Sequence, residues 1–291
     1  VGGGGGFQAR QRYTIDIDQR VLREERYGYG GAEWRLTSKL SLSGGAEGRT
    51  HRYDSSSRTA SGNLQAAASL NRNSLTGRVD LHYRLTSMTT AVASAEVIED
   101  EFQISAPGLS KTRSFRYLAG VTTARKALIS GSLLVGLRDF PARSSGSLPA
   151  YRGPSYQGSL AMRLFNRGRL TGTLLRDVFV SATPARTADD RARNAYVMLS
   201  ATVGLDWDLP LKLVGGATLG FTEADYILPT LVSGVRFPRV DHLYSASGTL
   251  MRRFGDSLRV GGSVTFYRRV STLPGNSYER WTYGVSAAFV P

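Results

Sequence analysis

The sequence predicts an all-β chain: a single transmembrane antiparallel up-and-down β-barrel, with short turns at one end and longer loops at the other. Three observations predict it. Apolar and polar residues alternate with period two along most of the chain, the pattern of extended strands with one apolar and one polar face. Between these runs, short turns and long polar loops follow each other in regular succession, the repetitive signature of a membrane barrel. No apolar run approaches the ~18 residues of a transmembrane helix. The last hairpin shows the unit most plainly. Leu258, Val260, Val264 and Phe266 share one parity and Arg259, Ser263, Thr265 and Tyr267 the other; Trp281, Tyr283, Val285, Ala287 and Phe289 oppose Arg280, Thr282, Gly284 and Ser286.

In chain order, residues 1–6 read as a flexible, Gly-rich lead-in, and 7–291 as the barrel. The first strand is expected from Gly6 to Val21, with Phe7, Ala9, Tyr13, Ile15 and Ile17 on its apolar parity. After the charged stretch Arg23 to Arg26, a second strand carries Ala32, Trp34 and Leu36, and the tight turn Thr37-Ser38 leads to a third bearing Leu40 and Leu42. Thr50 to Gly62 is a polar loop. Leu64 to Leu70 and Leu75 to Leu85 follow, then Thr89 to Glu99, where the alternation is poor. Further strands are expected around Phe115 to Val121, Ile129 to Arg138, Tyr156 to Leu164, Leu170 to Val178, Ala195 to Asp206 and Leu211 to Phe221, before the closing hairpins.

About fifteen candidates result, but a barrel with both ends on the periplasmic side needs an even number, so 14 or 16, roughly, are expected, with 16 favoured. The conflict lies at Leu64 to Leu85, where two short turns fall in succession. Loop length sets the orientation. The long loops Thr50–Gly62, Asp100–Thr112, Asp139–Pro154, Ser181–Arg193, Glu223–Pro238 and Val270–Tyr278 should face outside, and the short turns the periplasm. Closure follows from solvent: hydrocarbon cannot satisfy the backbone groups of an open sheet edge. A soluble two-layer fold would instead place large Leu, Ile and Phe inward on most strands, where this chain often has Gly, Ala or Ser.

Composition narrows the chemistry. Cys is absent, so there is no disulfide framework, thiolate metal site or cysteine nucleophile. The formal net charge is +14, yet the arginines are spread one or two per strand on the polar parity and not gathered in one tract. That argues for a solvated lumen and loops over nucleic-acid binding. The candidate lumen-lining residues are Arg35, Lys39, Glu47, Arg49, Arg78, Arg84, Arg116, Arg138, Arg163, Lys212, Arg259 and Arg268. Two readings stay open for them: a ladder of salt bridges bracing or closing the wall, and an electropositive conduit for an anionic polymer.

Other chemistry is thin. Of the three histidines, only His242 has triad-type neighbours, Asp241 and Ser245, and on a strand His242 and Ser245 face opposite sides. Glu99-Asp100-Glu101 reads as a solvated acidic loop face more than a calcium site. The glycine runs lack the Lys and the strand–helix setting of a phosphate loop. No catalytic residue, metal site or cofactor is therefore assigned.

The chain resembles the type-2 outer-membrane β-barrel porin family. The resemblance lies in Tyr83-Arg84-Leu85-Thr86-Ser87 with Thr89-Thr90, in Glu99-Asp100-Glu101-Phe102, in Ser130 to Phe140, in Arg176-Asp177-Val178 and in Tyr267-Arg268-Arg269-Val270-Ser271 through Phe289. It spans most of the chain, and its motifs are loose and architectural. Such barrels are similar to proteins encoded beside exopolysaccharide export machinery. The resemblance therefore implies a bacterial outer-membrane location and a passive conduit for an anionic polysaccharide. Outer-membrane lipid, polysaccharide and periplasmic export or co-polymerase proteins are the implied partners, with no nucleic acid among them. The alternatives are a plugged structural barrel anchoring a partner complex and, less well supported, a barrel enzyme acting on lipid.

Overall fold

The computed structural model describes residues 2–14, 17–53, 71–103, 111–124, 128–141, 149–165, 167–181, 194–232, 234–255 and 258–289. They form sixteen strands: β1 (Gly2–Thr14), β2 (Ile17–Arg35), β3 (Leu40–Tyr53), β4 (Arg72–Arg84), β5 (Thr89–Phe102), β6 (Lys111–Thr123), β7 (Ile129–Phe140), β8 (Tyr151–Leu164), β9 (Gly168–Val180), β10 (Ala195–Leu209), β11 (Leu213–Tyr226), β12 (Thr230–Val232), β13 (Val235–Phe237), β14 (Val240–Phe254), β15 (Leu258–Ser271) and β16 (Tyr278–Phe289). Fourteen make one antiparallel meander in sequence order, and β12 and β13 pair as a separate hairpin within the β11–β14 connection. Among the described residues, no pairing joins β1 to β16.

Apart from a tight reversal between Thr14 and Ile17, the connections sort by length as the alternation predicts: short turns at one end of the sheet, long loops at the other. Two short turns share one device. The Thr37 hydroxyl accepts from the backbone N–H of Lys39 and Leu40, and the Thr86 hydroxyl accepts in the same way from Met88 and Thr89. This is the side-chain turn that Thr-Ser sequences favour. Between β10 and β11, Leu211 and Lys212 both take positive φ, 63° and 60°. A two-residue hairpin turn that matches the strand twist requires such angles.

The first strand departs from expectation. The run Gly6 to Val21 is not one strand, because the chain reverses inside it and the two halves join β1 and β2. Gly2 to Gly6, expected as a lead-in, pair with Tyr27 to Gly31. Period-two reading misses such a reversal because the parity continues through it. The expected strand Leu64 to Leu70 lies outside the described residues, and the sheet reaches its even number without it.

β7 shows how the two faces are used. Leu133, Val135 and Leu137 are 50%, 53% and 50% exposed, while Leu134 and Arg138 on the other parity are 3% and 5% exposed. Soluble sheets do the reverse, exposing the polar face and burying the apolar one. The exposed apolar parity recurs as Leu75, Val79, Leu81 and Tyr83 on β4, Val203 and Leu205 on β10, Leu250 on β14, and Trp281, Tyr283 and Val285 on β16. The polar parity is concave. Side chains of β6 and β9, three strands apart in the sheet, touch across it. Close approach along β6 and β7 depends on glycine: a Cβ at Gly120 would meet the Leu133 carbonyl, and one at Gly136 the Tyr117 carbonyl. The poor alternation of Thr89 to Glu99 also has a cause. Val92 is on the concave parity but buried with Leu118 and Leu134 in a small apolar cluster.

Candidate functional site

The concave face is the candidate site, and it is layered from the long-loop end to the short-turn end. Nearest the long loops, Asp241 on β14 is fully buried and accepts from Arg239 (2.9 Å), from Arg269 on β15 (2.8 Å) and from the Ser271 hydroxyl. Arg239 also stacks over the Tyr226 ring at 4.0 Å. Tyr226 in turn packs with Tyr196, their centroids 5.2 Å apart, in a cluster that includes Ala224, Phe179, Met198 and Leu243. Asn194 pins the start of the β11–β14 connection. Its side-chain amide donates to the Leu228 carbonyl (2.5 Å) and accepts from the Leu228 N–H (3.0 Å), as a neighbouring strand would.

Below this lies a charged belt across β5 to β9. Arg116 donates to Glu96 at 2.6 Å and to Asp177 at 3.0 Å. Arg138, directly opposite Arg116 in the register, donates to the Ser114 hydroxyl at 2.9 Å. Its Nε lies 3.4 Å from Asp177, an ion pair without hydrogen-bond geometry. All four charged groups are nearly buried, so each depends on the others for compensation. On the β2–β4 side, Arg49 pairs with Glu25 and Glu47 and faces the Tyr27 ring, and Arg78 pairs with Asp80 at 2.7 Å.

The middle of the β7–β15 wall is lined by small hydroxyl side chains. Ser132 and Ser159 are 3.0 Å apart, Thr173 and Thr202 2.5 Å, and Ser200 and Thr222 3.1 Å. Ser245, Ser247, Thr249, Ser263 and Thr265 hold the same parity on β14 and β15. These pairs follow from cross-strand register, which sequence parity alone did not supply.

At the short-turn end the charge is no longer compensated. Arg163, Arg167, Arg169, Arg253 and Arg259 line a cavity of about 1060 Å³ together with Asp206 and Asp208. Arg253 bonds Asp208 at 2.9 Å. Across the face, Arg35, Lys39 and Arg84 line a second hollow of about 580 Å³ with Glu33 and His82.

The twelve sequence candidates thus divide. Arg49, Glu47, Arg78, Arg116 and Arg138 belong to ion-paired groups of the concave face. Arg35, Arg84, Arg163 and Arg259 stand at its short-turn rim, and Lys39 lies in the turn just beyond β2. Two assignments need correction. Lys212 is not on a strand: it occupies the β10–β11 turn. Arg268 shares the convex parity of Phe266 and Val264 and lies 3.4 Å from Glu279, so it does not line the concave face. The sequence reading missed Asp177, Arg169, Arg253 and the Arg239–Asp241–Arg269 clamp. Arg169 was legible from its parity with Thr171 and Thr173; the partners of Asp177 and Asp241 were not, because they arrive from other strands.

The two minor candidates resolve locally. Asp241 and Ser245 are concave, while His242 is convex, 3.4 Å from Glu223 and stacked near Phe221. Glu99 and Glu101 point to the convex face and pair with Arg113 and Lys111, whereas Asp100 points inward and accepts from the Ser74 hydroxyl. Three successive carboxylates on a strand do not converge on one cation.

No protein-family model and no curated protein matches the sequence. Among solved structures, the chain is similar to two variants of the ferric enterobactin receptor (PfeA) of Pseudomonas aeruginosa, each 13% identical. The TM-scores are 0.38 and 0.34, and the matches cover 96% and 95% of this chain. The chain spans 64% and 63% of those receptor chains, less than two thirds of their length.

Proposed function

We propose that this chain is a bacterial outer-membrane β-barrel, closed by its first and last strands, that serves as a passive, porin-like conduit for an anionic polysaccharide. The convex apolar band carries the reading. On β15 it runs from Phe266 to Leu258 and on β16 from Trp281 to Phe289. Each stretch is roughly nine residues, the depth a tilted spanning strand needs. At the long-loop end it stops at the charged pair Arg268–Glu279, as expected where hydrocarbon gives way to headgroups. In water so much exposed apolar surface would drive association, whereas lipid accepts it. The same solvent argument favours closure, since hydrocarbon leaves the edges of β1 and β16 unsatisfied.

Two features of the concave face support passage of a hydrated polymer. The hydroxyl wall, interrupted by Leu175 opposite Ser200, offers donors and acceptors, and the short-turn rim carries uncompensated arginines that attract anions. That rim is also where periplasmic export proteins would meet the barrel. Single-channel recording in planar bilayers tests the reading. The expected result is a steady conductance, anion-selective in a KCl gradient and blocked by an anionic polysaccharide.

One observation favours a second reading, a plugged structural barrel. The aromatic cluster around Tyr196 and Tyr226 occupies the concave face at the long-loop end, where the pinned connection before β14 also begins. Absence of conductance in correctly folded protein would select it.

A further inference from the structure

Between β6 and β15 the concave face contains three places where two arginines stand directly opposite each other on neighbouring strands: Arg116 with Arg138, Arg163 with Arg169, and Arg253 with Arg259. Like charges in this position repel and destabilise the pairing. The first pair is neutralised by Glu96 and Asp177, which supply two carboxylates for two guanidinium groups. The other two pairs line one cavity at the short-turn end, and there the carboxylates are too few. Asp208 bonds Arg253 alone. Asp206 stands opposite Arg169 in the register but is not within ion-pairing distance of it. Among the described residues, Arg163, Arg169 and Arg259 have no carboxylate partner. Arg167, from the β8–β9 turn, adds a fifth guanidinium to the same wall.

We infer that this vestibule is an oxyanion-binding site, in which a multiply charged ligand takes the place that Glu96 and Asp177 take between Arg116 and Arg138. Paired guanidinium groups match the oxygens of phosphate, sulfate or carboxylate with bidentate hydrogen bonds. Two such pairs in one cavity of about 1060 Å³ suit a ligand carrying several oxyanions, as a free oligophosphate or as successive acidic residues of a polymer. The site rests on the conduit reading only for how a ligand reaches it; binding itself needs no membrane.

The test is calorimetric titration of the full chain in detergent micelles, at low ionic strength, with sodium tripolyphosphate and separately with an oligogalacturonate. Binding of either supports the site, and the comparison tells whether phosphate or a carboxylate chain is preferred. Binding should weaken as NaCl is added. The double variants Arg163→Gln/Arg169→Gln and Arg253→Gln/Arg259→Gln should each weaken it roughly tenfold or more. Arg113→Gln, on the convex face at the far end, should leave it unchanged. Without ligand, Arg163→Gln/Arg169→Gln should melt no lower than the parent, because repulsion is removed and neither arginine has a carboxylate partner to lose. If a pair fails to fold, Arg169→Gln alone reads the same site. Failure of both ligands to bind, unchanged binding in either double variant, or equal loss in Arg113→Gln overturns the inference. Binding without conductance would sink the conduit alone, and conductance without binding would sink the site alone.

Discussion

Arg116 on β6 and Asp177 on β9 form a 3.0 Å ion pair although two strands separate theirs in the sheet. This contact ties together the curvature of the sheet, the burial of the belt and the neutralisation of Arg138. Asp177→Asn would leave Arg116 with Glu96 alone and Arg138 with no carboxylate in contact. Removing one member of a buried charged network costs about 3–5 kcal/mol. The variant should unfold at clearly lower urea than the parent, and Asp177→Asn combined with Arg138→Gln should recover part of the loss. Equal stability of parent and Asp177→Asn would show that the belt does not brace the sheet.

The face assignment makes a prediction that separates lipid from water. Leu133 is half exposed on the convex face. In a soluble protein, Leu133→Arg would change stability by no more than about 0.5 kcal/mol. At mid-depth in a bilayer it should cost about 2–4 kcal/mol. Refolding into lipid vesicles, followed by heat-modifiable gel migration, distinguishes the two. Ser132→Arg, one residue away on the concave face, should be far better tolerated.

Ion selectivity should divide the arginines as the geometry does. Arg163→Gln/Arg259→Gln should shift the reversal potential in a KCl gradient toward zero while leaving the protein folded. Arg138→Gln should shift it little and mainly lower stability, because Arg138 is buried against Asp177 and Ser114. A larger selectivity change from Arg138→Gln than from the double variant would place the filter in the belt instead.

The absence of native Cys makes the topology directly testable. Pro274 lies between β15 and β16 at the long-loop end, and Ser38 in the short turn between β2 and β3. In intact cells Pro274→Cys should react with an impermeant maleimide, and Ser38→Cys only after the envelope is opened. The opposite pattern would invert the proposed orientation.

The buried Asp241 should control the connection between β11 and β14. Asp241→Asn weakens its bonds to both Arg239 and Arg269, and the segment before β14 should loosen. Limited trypsin digestion should then cut at Arg236 or Arg239 at concentrations that leave the parent intact. Cleavage at the same rate in both proteins would show that the clamp does not hold the loop.

What the sequence determined by itself was everything local and periodic. Alternation placed the long strands from Leu75 onward, though not the short β12–β13 hairpin inside the expected loop Glu223–Pro238, and it sorted the face of most of their residues, because side-chain direction on a strand depends only on parity. Loop and turn lengths assigned the two ends. Parity also made Arg163 and Arg259 concave, and followed strictly it sets Arg268 on the convex face with Phe266; it could not show that Leu211 and Lys212 lie in a turn, because the alternation runs on through them into Leu213. Tertiary structure decided what parity cannot carry. The reversal between Thr14 and Ile17 keeps the alternation intact, so it left no trace in the pattern. Register decided that Arg163 faces Arg169 and Arg116 faces Arg138, and curvature decided that only the second pair meets carboxylates, from β5 and β9. An arginine's role here depends on which strands the sheet bends toward it, a distance in space that the spacing along the chain does not encode.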